Sequence, residues 1–379
     1  MELASYIQQM KTSSYLAGCA VREEVPNMEA VDAAGFEGLL DTAGHHMLSA
    51  VVATALQAAG VNSTRVNEEV ARGLWKTAQL EADWQRIRPQ LEEAGIWYCP
   101  VKGAVVKDLY PSFGMRQMAD YDVLFDASRS KDMRAIMEGL GFSCESFGRF
   151  HHDVYHKLPV SNFEMHRSLF TEGHGAELAH YYATVKDRLI KDADNNFGWH
   201  MSAEECYVYL LAHEYKHFAS GGTGLRSVLD IYVYLRKYEA SMNWDLIREQ
   251  AGILGIADFE QQQRTFAQHL FGNAELTPDE ENLFIYLATS GTYGTTAHSV
   301  ANKLDKESNG IFGKLHYLAT RVFLPMDAVK YGYPFFYRHK VLLPVLVVYR
   351  LGKSFSVSRK QVMREIKHVV RYRGKTKAD

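Results

Sequence analysis

Cysteine is scarce in this 379-residue chain: Cys19, Cys99, Cys144 and Cys206 stand apart, with no C-x-x-C pair among them. That spacing excludes a disulfide frame and a cysteine-based zinc finger, and it predicts reduced, mostly buried thiols. Long hydrophobic runs are missing too. No apolar stretch approaches the roughly 20 residues that span a bilayer, so no transmembrane segment is expected. The first ten residues, MELASYIQQM, lack the basic start and apolar core of a signal peptide, and a soluble cytoplasmic protein is the expectation. Repeats and low-complexity tracts are also absent. The cluster Gly221-Gly222-Thr223-Gly224 lacks the preceding strand and the Lys-Ser or Lys-Thr of a P-loop, and it reads as a loop between helices. What the chain does have is 47% apolar and 12% aromatic residues, enough for a large core in two or three domains.

The string ADYDVLF, from Ala119 to Phe125, places two aspartates two residues apart in an apolar, strand-like run. Side chains alternate faces along a strand, so Asp120 and Asp122 share one face while Tyr121, Val123 and Phe125 point to the other. Adjacent carboxylates repel, and packing does not reward that. A divalent cation with bound phosphates turns the repulsion into ligation, which points to phosphoryl or nucleotidyl transfer. The alternative is a turn after Gly114, with Asp122 on a solvated edge. Upstream, Lys102-Gly103 follows the apolar run Ile96 to Val101 and precedes a helix-like stretch from Ala104 to Tyr110. A glycine at a helix start admits a phosphate to the backbone, and Lys102 adds a positive charge.

Downstream of an amphipathic helix from about Ser130 to Leu140, two strands are expected at His151 to Leu158 and Asn162 to Ser168. The second contains FEMHR, which puts Glu164 and His166 on one face. If the strands bearing Asp122 and Glu164 are neighbours, a third carboxylate joins the aspartates, and three could hold two metal ions. Otherwise Glu164 is a surface residue on a hairpin. A rival motif, His213-Glu214-Tyr215-Lys216-His217, matches the H-E-x-x-H of zinc metalloproteases, although no third ligand follows it convincingly and the nearest acid, Asp230, lies in another helical run. The same helix can instead turn His213, Lys216 and His217 toward a nucleotide cleft as one polar face, or bury its histidines against Asp230 or Arg226.

The succession PVKGAVVKDLYPSFGMRQMADYDVLF, FEMHR, LLAHEYKHF and GLRSVLDIY resembles the bacterial uncharacterised nucleotidyltransferases of the DNA polymerase β-like superfamily, over most of the chain. The resemblance implies an enzyme that transfers a nucleoside monophosphate from an NTP to an acceptor hydroxyl with release of pyrophosphate. Mg2+, or Mn2+ in its place, would sit on Asp120, Asp122 and Glu164. Lys102, Gly103 and Arg116 would hold the triphosphate, with His166, His213, Lys216 and His217 as further contacts. The acceptor class, whether small molecule, RNA or protein, stays open. The wider superfamily carries Gly-Ser where this chain has Lys-Gly. A nucleotide-binding regulatory protein that has lost turnover is the alternative.

The expected fold class is α+β: a small mixed sheet in residues 95–172, preceded by a helical region in 1–94 and followed by a helical domain in 173–305. Residues 306–379 form a basic, aromatic C-terminal region. From Gly310 to Asp379 there are 15 Lys and Arg against 3 Asp and Glu, about +12 in a chain whose net charge is −3. This region either docks on the chain's own acidic body or binds an anionic partner, nucleic acid or a membrane surface.

Overall fold

Alternation along the strands, read above as a sorting of acids from aromatics, organises the fold. The computed structural model describes residues 2–32, 36–292 and 294–306, then 314, 319–320, 322–324, 326–357, 363, 365–369 and 372. Five strands form one mixed sheet: β1 (Tyr98–Val101), β2 (Tyr121–Phe125), β3 (Ser143–Ser146), β4 (His152–Lys157) and β5 (Ser161–His166), in the order β1-β2-β5-β4-β3. β2 and β5 run parallel, and every other pairing is antiparallel. The sheet is flanked by helices, which makes the fold α+β.

Tyr121, Val123 and Phe125 of β2 and Phe163 and Met165 of β5 share a core with Leu80, Trp84, Ile87 and Leu91 of the helix Thr64–Ala94, and with Met133 and Met137 of the helix Ser130–Gly139. Trp84 stacks on Tyr121 at 5.3 Å, and Tyr121 on Phe163 at 5.1 Å. Each such aromatic pair adds about 0.5–1.5 kcal/mol beyond its buried area. Burial of this face fixes strand register, because a slip of one residue would drive Asp122 into the aromatic layer. The long helix starts at Ser63, whose side chain accepts from the Val66 N–H, and ends where Gly95 turns left-handed at φ 66°.

Met1–Tyr215 with Gly224–Thr292 makes one compact unit, and Lys216–Thr223 with Tyr293–Asp379 a second. In the first, the helices Leu3–Arg22, Ser49–Ala58 and Ala257–Gly272 pack together, and the helix Leu225–Tyr238 packs on Ala257–Gly272. The helix Ala203–Ser220 begins in the first unit and ends in the second. Within the second unit lie the helices Thr296–Lys306, Met326–Gly332, Pro334–Arg338 and Leu343–Val357, and Val300, Leu304 and Val369 pack together. Much of the basic tail, including 307–313 and 373–379, falls outside the described residues, and with it most of the choice between docking and binding. Among the described residues no helix is long and apolar enough to cross a membrane.

Candidate active site

Parallel pairing of β2 with β5 puts Asp122 directly beside Glu164, and Leu124 beside His166. The face opposite the aromatic core therefore carries Asp122, Glu164 and His166 on adjacent strands. One ligand atom from each of these three lies within 4.8 Å of the other two. The neighbouring of the two strands, which the sequence left conditional, is the arrangement found.

The charges in this cluster are unequal. Asp122 Oδ1 accepts from Lys102 Nζ at 2.7 Å and from His166 Nε2 at 2.7 Å. Burial alone would raise the Asp122 carboxyl, but the Lys102 ammonium and the His166 hydrogen bond hold it well below the usual carboxylate range. Lys102 is pushed up in turn: burial pulls it down, but Asp122, with Tyr209, Glu164 and Asp120 adding to it, raises it overall. Glu164 has the opposite fate: burial and the anionic Asp122 raise it to about 8. The His166 imidazole, buried and near Lys102, is lowered to about 3 and is neutral. At neutral pH the group thus holds one carboxylate anion, one protonated acid and one ammonium. A pair of adjacent acids that cannot both ionise is a donor set suited to a hard divalent cation.

Lys102 follows β1 with φ 52° and ψ −125°, a conformation that strains a residue with a side chain. Such outliers cost of order 1–3 kcal/mol and persist where the surroundings enforce them. Here the ion pair with Asp122 uses the geometry. The predicted helix Ala104 to Tyr110 is a single turn, Gly103–Val106, followed by a 3-10 turn at Lys107–Leu109. Gly103 lies against the Arg116 guanidinium, which a Cβ at this position would crowd. Arg116 is held from another element. Its buried guanidinium donates to Asp230 Oδ1 at 2.8 Å and Oδ2 at 2.7 Å, and Tyr110 donates to the same Asp230 Oδ1 at 2.8 Å. The arginine ties the segment before β2 to the helix Leu225–Tyr238.

Asp120 precedes β2 and is not a member of either group of metal-capable residues among those described; His166 stands with Asp122 and Glu164 instead. Burial and Asp122 raise the Asp120 carboxyl, against the pull of Lys102, Arg226 and Arg116. Two cations beside Asp120 escaped sequence reasoning. Lys76 donates to the Ala119 carbonyl at 2.8 Å and acts electrostatically on Asp120, and Arg226 Nη1 donates to the Gln117 carbonyl at 3.2 Å. Tyr209, fully buried, also feels both Lys102 and Asp122, and its hydroxyl finds no hydrogen-bond partner among the described residues. No local motif marks these three; only distance in space does.

The helix with H-E-x-x-H divides. The His213 ring lies 6.3 Å from that of Tyr209, whereas Lys216 and His217 belong to the second unit, where the His217 carbonyl accepts from Gly221 and Gly222. Glu214 is 2% exposed and accepts from Ser227 Oγ at 3.1 Å. A glutamate sealed against a neighbouring helix cannot serve as the general base of a protease, and neither His213 nor His217 belongs to a metal-capable group among the described residues.

A family model described as "Uncharacterised nucleotidyltransferase" matches residues 32–272, which include every element of the cluster above. Neither the curated proteins nor the solved structures gave a match.

Proposed function

Because the chain belongs to the uncharacterised nucleotidyltransferase family, we propose that it transfers a nucleoside monophosphate from an NTP to an acceptor hydroxyl at the Asp122–Glu164 cluster. The observation that supports this most is the register of β2 with β5, which sets Asp122 beside Glu164 with only one of them ionised. Asp122 and Glu164, with Asp120 beside them, would hold Mg2+ or Mn2+, which supplies charge neutralisation at the triphosphate and polarises the α-phosphate.

The chain's own groups have separate tasks. Lys102, which the sequence pattern had named for this with Gly103 and Arg116, supplies positive charge where the triphosphate lies, and Lys76 and Arg226 beside Asp120 add to it. Glu164, which would give up its own proton when a divalent cation offsets the charge of Asp122, takes the proton of the acceptor hydroxyl as that oxygen attacks the α-phosphorus and the bond to the β-phosphate oxygen breaks, releasing pyrophosphate. His166 donates to Asp122 Oδ1 and holds that carboxylate in orientation.

The test is labelled-NMP transfer and pyrophosphate release with Mg2+ or Mn2+. Asp122→Asn should keep the circular dichroism spectrum and lose at least about 100-fold in rate, the loss typical of removing one preorganised electrostatic group. Unchanged turnover in this variant would refute the assignment. One observation favours a second reading, a nucleotide-binding regulatory protein without turnover: the Lys102 ammonium already sits on Asp122 at 2.7 Å. Calorimetry giving NTP binding with no transfer to any offered acceptor would decide for it.

A further inference from the structure

On the β4 side of the same sheet face, His151, His152 and His166 gather so that one ring nitrogen of each lies within 4.8 Å of the other two. His152 is the register partner of His166 across β4 and β5, which places the rings side by side, 5.0 Å between centroids. His151 Nε2 and His152 Nδ1 are 3.3 Å apart, within hydrogen-bond range, so a bound ion would take the place of that hydrogen bond. Two nitrogens bound to one tetrahedral ion at about 2.0–2.1 Å stand about 3.3–3.4 Å apart, so this pair already has the spacing of two ligands.

The remaining ring atoms fit the same pattern. His166 Nε2–H donates to the Asp122 carboxylate, which leaves the lone pair on Nδ1, and that buried atom finds no hydrogen-bond partner among the described residues. His152 Nε2 lies 3.7 Å from Glu164 Oε1. Metal-ligating histidines characteristically give their other ring nitrogen to a carboxylate, which fixes the tautomer and raises the basicity of the ligand atom. A buried imidazole lone pair left without a hydrogen bond is costly, and coordination would remove that cost.

We propose that His151, His152 and His166 form a three-histidine site for a divalent transition-metal ion, adjacent to and chemically distinct from the carboxylate cluster. Imidazole nitrogen selects ions of the zinc and cobalt kind, whereas Mg2+ prefers carboxylate and water oxygen. Three protein ligands leave a fourth position for water or a substrate oxygen. Asp122 and Glu164 back the histidines from their other side, so the site extends the proposed reaction centre while standing on its own geometry.

The probe is Co2+, added to the chelator-stripped full-length protein without nucleotide or acceptor, and followed by its visible d–d absorption. One ion per chain is expected, with bands of nitrogen ligation that survive excess Mg2+ and survive Asp120→Asn. His151→Gln and His152→Gln, both at half-buried positions, should each weaken Co2+ by at least about tenfold. Displacement of Co2+ by Mg2+, absence of binding, or affinity unchanged in both histidine variants would overturn the proposal. If a variant fails to fold, nitrogen hyperfine couplings in the Cu2+ form of the unmodified protein decide the question: their presence supports the site and their absence rejects it. Because nothing here depends on transfer, failure of the nucleotidyl reading leaves this outcome legible, and the reverse also holds.

Discussion

Replacing Glu214 with glutamine should remove a pH dependence of stability that the fold imposes on the native chain. Burial raises the Glu214 carboxyl to about 8, with Asp230 adding to the rise and the Ser227 hydrogen bond opposing it. In the unfolded chain the same group titrates near 4.5. Between those values the folded state binds the extra proton, so stability falls as pH rises from about 4.5 to about 8 and then levels off. At about 1.4 kcal/mol per unit, the interval corresponds to about 5 kcal/mol. About 4 kcal/mol of that lies above pH 5, so with roughly 2 °C of melting temperature per kcal/mol for a unit of this size the native protein should lose about 8 °C relative to Glu214→Gln between pH 5 and pH 9. Scanning calorimetry of the two proteins in parallel isolates the effect, because every other titrating group is common to both. The amide keeps an acceptor for Ser227, and nucleotidyl transfer should persist. A melting difference that stays constant with pH would refute the burial argument, and a zinc-dependent peptidase activity lost in the variant would restore the H-E-x-x-H reading.

Three further outcomes follow from local geometry. Lys102→Gly should be more stable than Lys102→Ala by about 1–2 kcal/mol in chemical denaturation, because glycine adopts φ 52° without strain while both variants lose the ion pair to Asp122. Asp230→Asn leaves the buried Arg116 guanidinium without its carboxylate and should cost about 3–5 kcal/mol, read by the same method. Gly103→Ala drives a methyl group into Arg116 and should cost about 1–3 kcal/mol; a neutral result would mean that Arg116 can retreat without loss.

Local periodicity carried much of the site into view. A period of two separated Tyr121, Val123 and Phe125 from Asp122, and Phe163 and Met165 from Glu164 and His166, because one face of each strand is buried in the aromatic core. The helices Ser130–Gly139, Ala203–Ser220 and Leu225–Tyr238 were legible for the same kind of reason, as apolar positions recurring at helical spacing. Partners distant along the chain were not. Arg116 meets Asp230 across 114 positions, and no pattern within either segment announces the other. Nor does spacing say whether Glu214 faces solvent or Ser227.

From the order of residues alone came the two-faced strands, the acids and histidine that one face would present, the helical surroundings and the absence of a membrane-length apolar run, since each depends on periodicity or composition within a short window. Tertiary structure decided which strands adjoin, that Lys102 pairs with Asp122 while Glu164 is raised beside it, that Arg116 meets Asp230, and that His151 and His152 stand beside His166. Those outcomes rest on contacts between distant segments and on the loss of water around them, and the energy of a buried charge is set by what folding places next to it.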